Sequence, residues 1–192
     1  MITELLAQHR LKNTLRDVKT LDGGVPVYYS ARISVEMTDP ESLSPTSKYV
    51  LKERLTELEA LRNRIFVSRG VDIFTFPGIF EDDNIKIAPP IAEEINRSRL
   101  LIDGLHRSYI ARRNGESLVV AHVRNSLTDF EPIGLPISWG EVIERDTQPT
   151  TGQECRNLRP GVVDQPASLR QYYRDFSVLG STGRRPRRGQ IG

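Results

Sequence analysis

Cysteine occurs once in 192 residues, at Cys155, which excludes an internal disulfide and any site built from several thiolates. Histidine is nearly as scarce: His9, His106 and His122 lie too far apart in sequence to suggest a metal centre. No apolar run approaches the roughly 20 residues that a membrane-spanning helix needs. The opening residues, MITELLAQHRLKNTL, intersperse charges among apolar positions, unlike a secretory signal. A cytoplasmic protein without membrane contact is the expectation. A large excess of charge of either sign is also missing, with 27 Lys+Arg against 25 Asp+Glu. The last 12 residues, STGRRPRRGQIG, hold four of those arginines and no acid, so the remaining body is slightly acidic. Such a body does not resemble a phosphate-neutralising nucleic-acid surface. Contact with nucleic acid is expected, if at all, through the Arg-rich tail.

What is present is enough apolar residue, 38%, to bury a core within one domain plus additions. Residues 1–20 carry Leu5, Leu6, Leu11, Leu15 and Val18 on an amphipathic helical pattern. Val25 to Tyr29 and Ala31 to Met37 read as extended. Ser44-Pro45 reads as the cap and first residue of a helix in which Leu51, Leu55, Leu58, Leu61 and Ile65 share one face. Arg69-Gly70 ends it. Residues 71–80 suggest an edge strand or turn, 81–84 an acidic loop, and Ile85 to Ala88 a short strand before Pro89-Pro90. Leu100-Leu-Ile is a buried strand that stops at Asp103-Gly104, a helix runs from Leu105 to Asn114, and Leu118 to Val123 is a β-branched strand. Mixed elements around one small sheet make an α+β (mixed α/β) domain. Its expected divisions are an N-terminal helical extension (1–24), a central domain (25–125), a C-terminal extension packing on it (126–180), and a disordered Arg-rich tail (181–192).

One segment carries chemistry. In Leu100-Leu-Ile-Asp-Gly-Leu-His-Arg, a buried strand meets a glycine and then a helix whose first turn bears His106 and Arg107. The first N–H groups of a helix lack intrahelical partners and carry partial positive charge. Gly104 has no Cβ to keep an anion from the backbone, and Arg107 offers a planar, permanently charged fork for phosphate oxygens. His106 can donate a hydrogen bond or hold a proton. Asp103 can orient His106, take a proton or hold a Mg²⁺ water. Together they make a phosphate cradle, provided that the corner is open and its guanidinium is not tied up in an internal ion pair. The alternative is a turn shaped by Asp and Gly alone.

Asp-Gly-Leu-His-Arg after an apolar strand, followed by Ser-Tyr-Ile-Ala-Arg-Arg-Asn-Gly and the strand Leu-Val-Val-Ala-His-Val, resembles the ParB/sulfiredoxin superfamily. The likeness is strongest to members with an Asp-Gly-x-His-Arg signature, including the ADP- or ATP-dependent free serine kinases. It covers about residues 25–125, although the stretch between Leu61 and Leu100 is longer than the compact family spacing. The resemblance implies a small mixed sheet flanked by helices. It places nucleotide phosphates on Gly104, Leu105, His106 and Arg107, with Asp103 and His106 at the transferred group and Mg²⁺ near Asp103. It suggests Glu41, or failing that Glu36, as the base toward a substrate hydroxyl. The nucleotide would be ATP or ADP, with CTP a possibility. The expected function is phosphotransfer to a small molecule such as serine or a related metabolite. The alternative is a CTP-binding switch of the chromosome-partition type, although no helix-turn-helix pattern follows Val123. Reduction of oxidised cysteine is rejected because Leu105 stands where that chemistry needs Cys. Nucleic-acid hydrolysis would want more carboxylates than Asp103. The stretch from Pro132 to Trp139 either closes over the site, with Trp139 stacking on a base, or anchors the extension, the commoner role for a lone Trp.

Overall fold

A computed structural model of the protein describes residues 2–24, 26–82, 85–124, 132, 134–160 and 170–180. The chain is α+β. Helix α1 (Ile2–Arg16) leads to strand β1 (Arg32–Thr38), a 3₁₀ turn at Pro40–Ser42, β2 (Ser44–Pro45) and β3 (Tyr49–Leu51). Next come α2 (Lys52–Arg69), β4 (Phe80–Asp82), β5 (Ile85–Ile87), β6 (Ile91–Ile95), β7 (Ser98–Asp103) and α3 (Leu105–Arg113). After these follow β8 (Leu118–Arg124), a 3₁₀ turn at Trp139–Glu141, β9 (Ile143–Arg145), the single-turn α4 (Gly152–Cys155) and a 3₁₀ turn at Ser177–Leu179. Among the described residues no helix is long and apolar enough to cross a membrane.

Five strands form the central sheet in the order β1-β8-β6-β7-β2. β8 lies antiparallel to β1 and parallel to β6, β6 antiparallel to β7, and β7 parallel to β2. Side chains alternate between the two faces of a strand, and both faces of β8 are covered. Leu118 and Val120 pack with α2, α3 and Trp139, whereas Ala121 and Val123 pack with Leu11 and Leu15 of α1, Tyr28 and Phe176. The α3 corner lies at one end of this sheet, where β7 stops.

Several elements differ from the sequence reading. Ser44-Pro45 does not start a helix: it is an edge strand beside Leu100 and Leu101, and α2 begins only at Lys52. Proline is tolerated at a sheet edge; the Pro45 carbonyl accepts from the Ile137 amide, and the Thr46 hydroxyl donates to the Leu101 carbonyl. The described part of 25–29 is a turn rather than a strand, buried around Tyr28. Leu5 and Leu6 of α1 face solvent, leaving Leu11 and Leu15 to the core. Of the two readings of 71–80, residues 73–75 take the turn, in which the Asp72 carboxylate accepts from the Phe74 amide. Glu81 and Asp82 belong to strand β4; Glu81 pairs with Arg10 and Lys86, and Asp82 with Arg69. The rest of that acidic stretch, like the Arg-rich tail, lies outside the described residues.

Candidate functional site at the α3 corner

Gly104 is the N-cap of α3 with φ +85°, a left-handed conformation that favours glycine. A Cβ there would sit 2.6 Å from the Pro90 Cβ. The open side of the glycine is therefore filled by Pro90 rather than left for an anion. Leu105 places its side chain in the core and offers only its backbone.

Arg107 is buried. Its guanidinium donates to the Ala88 carbonyl and faces Asp103, one carboxylate oxygen lying 3.5 Å from Nη2. Burial pulls the guanidinium pKa down and the Asp103 carboxylate opposes that pull. An arginine stays protonated regardless. Neither condition for an open cradle is met at this residue: the cation points inward, in an internal pair.

His106 is half-buried and turns the other way. Its Nε2 accepts a hydrogen bond of 3.0 Å from the backbone amide of Leu51, the N-cap of α2. An accepting Nε2 places the ring proton on Nδ1 when the imidazole is neutral. Neither α2 nor α3 has a side-chain cap. His106 thus joins the starts of two uncapped helices, where partial positive charge from both accumulates.

The two glutamates are elsewhere. Glu41, in the 3₁₀ turn after β1, pairs with Arg112 at 2.7 Å, and Arg112 lies over Trp139. Arg112 is about 10 Å of helix rise beyond Leu105, so Glu41 serves the far end of α3. Glu36 stands on β1 in a separate cluster around His122, where a Ser34 hydrogen bond, then His122, Arg124 and Arg99, hold its carboxyl below the ordinary range. Trp139 is buried against Tyr109 and donates Nε1–H to the Pro40 carbonyl at 2.9 Å, an anchor rather than a lid. Among the described residues no group of three or more His, Cys, Asp or Glu is placed to hold a metal.

His122 itself was missed by spacing alone. It sits on β8 opposite Ser34, buried, with Nε2 2.8 Å from the Thr38 hydroxyl, which donates to the Glu36 carbonyl. Nδ1 is buried without a hydrogen-bond partner among the described residues. Burial first, then Arg99 and Arg124, lowers the imidazole pKa from 6.5, while Glu36 and Glu94 oppose this. A histidine depressed on folding takes up a proton on unfolding at acid pH. Stability should therefore fall as pH drops through 6.5, the ordinary value, and lie flat above it as far as this group is concerned. Urea unfolding between pH 5 and 8 checks this. His122→Gln should remove that part of the slope, and an unchanged slope would assign it to other groups.

The sequence model of the ParB CE domain family matches residues 10–141. The match includes the whole 103–107 corner and Trp139 and stops short of residues 170–180. No curated protein and no solved structure matches the chain.

Proposed function

The chain belongs to the ParB CE domain family, and from that premise we propose that it is a nucleotide-binding module. Phosphates would be held where the starts of α2 and α3 meet. The observation that carries this reading is the His106 hydrogen bond to the amide of Leu51. It brings two uncapped helix N-termini to one point, an arrangement suited to an anion. Phosphate oxygens would take the amides of Leu105, His106 and Arg107 and, once the His106 ring turns from Leu51 to donate its own N–H to phosphate, that of Leu51. Lys52, exposed in the first turn of α2, pairs with Asp146 at 3.1 Å and would add its charge by leaving that pair. Gly104 contributes its φ rather than open space. Arg107 acts from behind the corner, holding Asp103 in place.

Mg²⁺ fits only as an ion carried in by the nucleotide, with Asp103 supplying one carboxylate and the phosphates the rest; it would neutralise phosphate charge. CTP, ATP and ADP are all candidates. A switch that binds nucleotide without transferring it is favoured, because Glu41 is engaged with Arg112 at the other end of α3. Phosphotransfer to a small hydroxylated metabolite such as serine rests on Asp103 alone.

Calorimetric titration of CTP, ATP and ADP with Mg²⁺ tests this. At least one should bind the full chain, and His106→Ala should weaken it about tenfold, the value of one charge-assisted contact. Failure of all three to bind would overturn the reading. Incubation with serine then separates transfer from binding: release of a phosphorylated product would restore the kinase.

A further inference from the structure

β1 is the outer strand of the central sheet, seven residues long and, among the described residues, paired on one side only. A long open edge is a template for another strand unless charges or bulges forbid it. Two charges stand on this one, Arg32 and Glu36, both exposed and both on the face that carries His122. Among the described residues neither is in an ion pair within its own chain. Exposed apolar side chains accompany them: Met37 is 57% exposed, and Tyr29, just before the strand, 74%.

We propose that β1 pairs antiparallel with β1 of a second copy of this chain, in a two-fold register centred on Ser34. Two-fold pairing of identical strands makes each residue meet the one equally far on the other side of the centre. With Ser34 at the centre, Arg32 faces Glu36 of the second copy, and Glu36 faces its Arg32. Ile33 meets Val35, and Met37 lies opposite Ala31, two residues from Tyr29. Centring on Val35 instead places Arg32 opposite Thr38 and Glu36 opposite Ser34, leaving both charges unmatched. The strand is thus self-complementary in charge in one register. The same residues that guard the edge against foreign strands select an identical partner. The result is a continuous sheet of ten strands across the dimer, five from each copy.

Analytical ultracentrifugation of the full chain across a wide concentration range tests the pairing. A reversible dimer is expected. Arg32→Glu should raise its dissociation constant about tenfold, since two attractive cross-strand contacts become two repulsive ones. It leaves Glu36 and His122 themselves in place, and circular dichroism should confirm an unchanged fold. Arg32→Glu combined with Glu36→Arg should return the dissociation constant toward the wild-type value. A monomer at every concentration would overturn the proposal. So would a dimer indifferent to Arg32→Glu, or a double reversal that fails to restore association.

Discussion

Replacing Arg107 with alanine is expected to lower the free energy of unfolding by about 3 kcal/mol, the lower part of the range for breaking a buried ion pair. The guanidinium is enclosed, and its removal leaves the Ala88 carbonyl without this donor and Asp103 without its cation. Asp103 keeps 17% of its side chain in solvent and lies 3.5 Å from Arg107, which moderates the loss. Urea unfolding monitored through Trp139 measures it directly. Asp103→Asn, which keeps the shape of the side chain and removes only the charge, should cost less than half as much. A phosphate ligand pointing outward would behave otherwise, changing nucleotide affinity while leaving stability intact. Full stability in Arg107→Ala would mean that the corner is open and the inward pairing wrong.

A loss of comparable or greater size is expected on the opposite face of the sheet. Glu93 is completely buried on β6, and Arg174 grips it from the C-terminal segment with two bonds of 2.8 and 3.1 Å. The Tyr28 hydroxyl donates to the same carboxylate at 2.5 Å. Burial first, and the Glu93 charge next, push that phenol well above its usual pKa, so it stays protonated as a donor. Arg174→Ala strands a buried carboxylate and should cost about 4 kcal/mol. Residues 170–180 should then loosen, keeping the buried Leu179, the Arg170 bond to the Leu21 carbonyl, the Phe176 contact with Tyr28 and a few backbone bonds. Those bonds run from the Leu21 amide to the Tyr173 carbonyl and from the Asp175 amide to the Lys19 carbonyl. Hydrogen exchange at the Leu21 and Asp175 amides should accelerate in the variant while β8 stays protected. Replacing Glu93 and Arg174 together by methionine should recover most of the stability, since no charge is then left buried.

The parts of the fold legible from sequence were those with strong local periodicity. The α2 face, the β8 run and the strand–glycine–helix step at 103–105 all follow from spacing and β-branching, and all are present. β6 escaped notice for a physical reason. Its Glu93-Glu94 pair reads as solvent-facing, and only side chains far away in sequence, Tyr28 and Arg174, make Glu93 a core residue. The start of α2 was misplaced because Ser44-Pro45 satisfies the local rule for a helix cap equally well. Long-range pairing with Leu100 and Leu101 decides otherwise. At the corner, residue types and order were readable, but the direction of each side chain was not. Arg107 and His106 are adjacent in sequence and point to different neighbours. Which one turns inward depends on Ala88 and Pro90, supplied by another part of the chain.

Gly180 fits against Lys86 so closely that a Cβ would collide with its carbonyl oxygen. The four terminal arginines are therefore tethered to a known mooring beside β5. Arg188, the farthest of them, is eight residues on, so the backbone that carries it reaches no more than about 28 Å from that anchorage, and a polyanion must come that near to meet it.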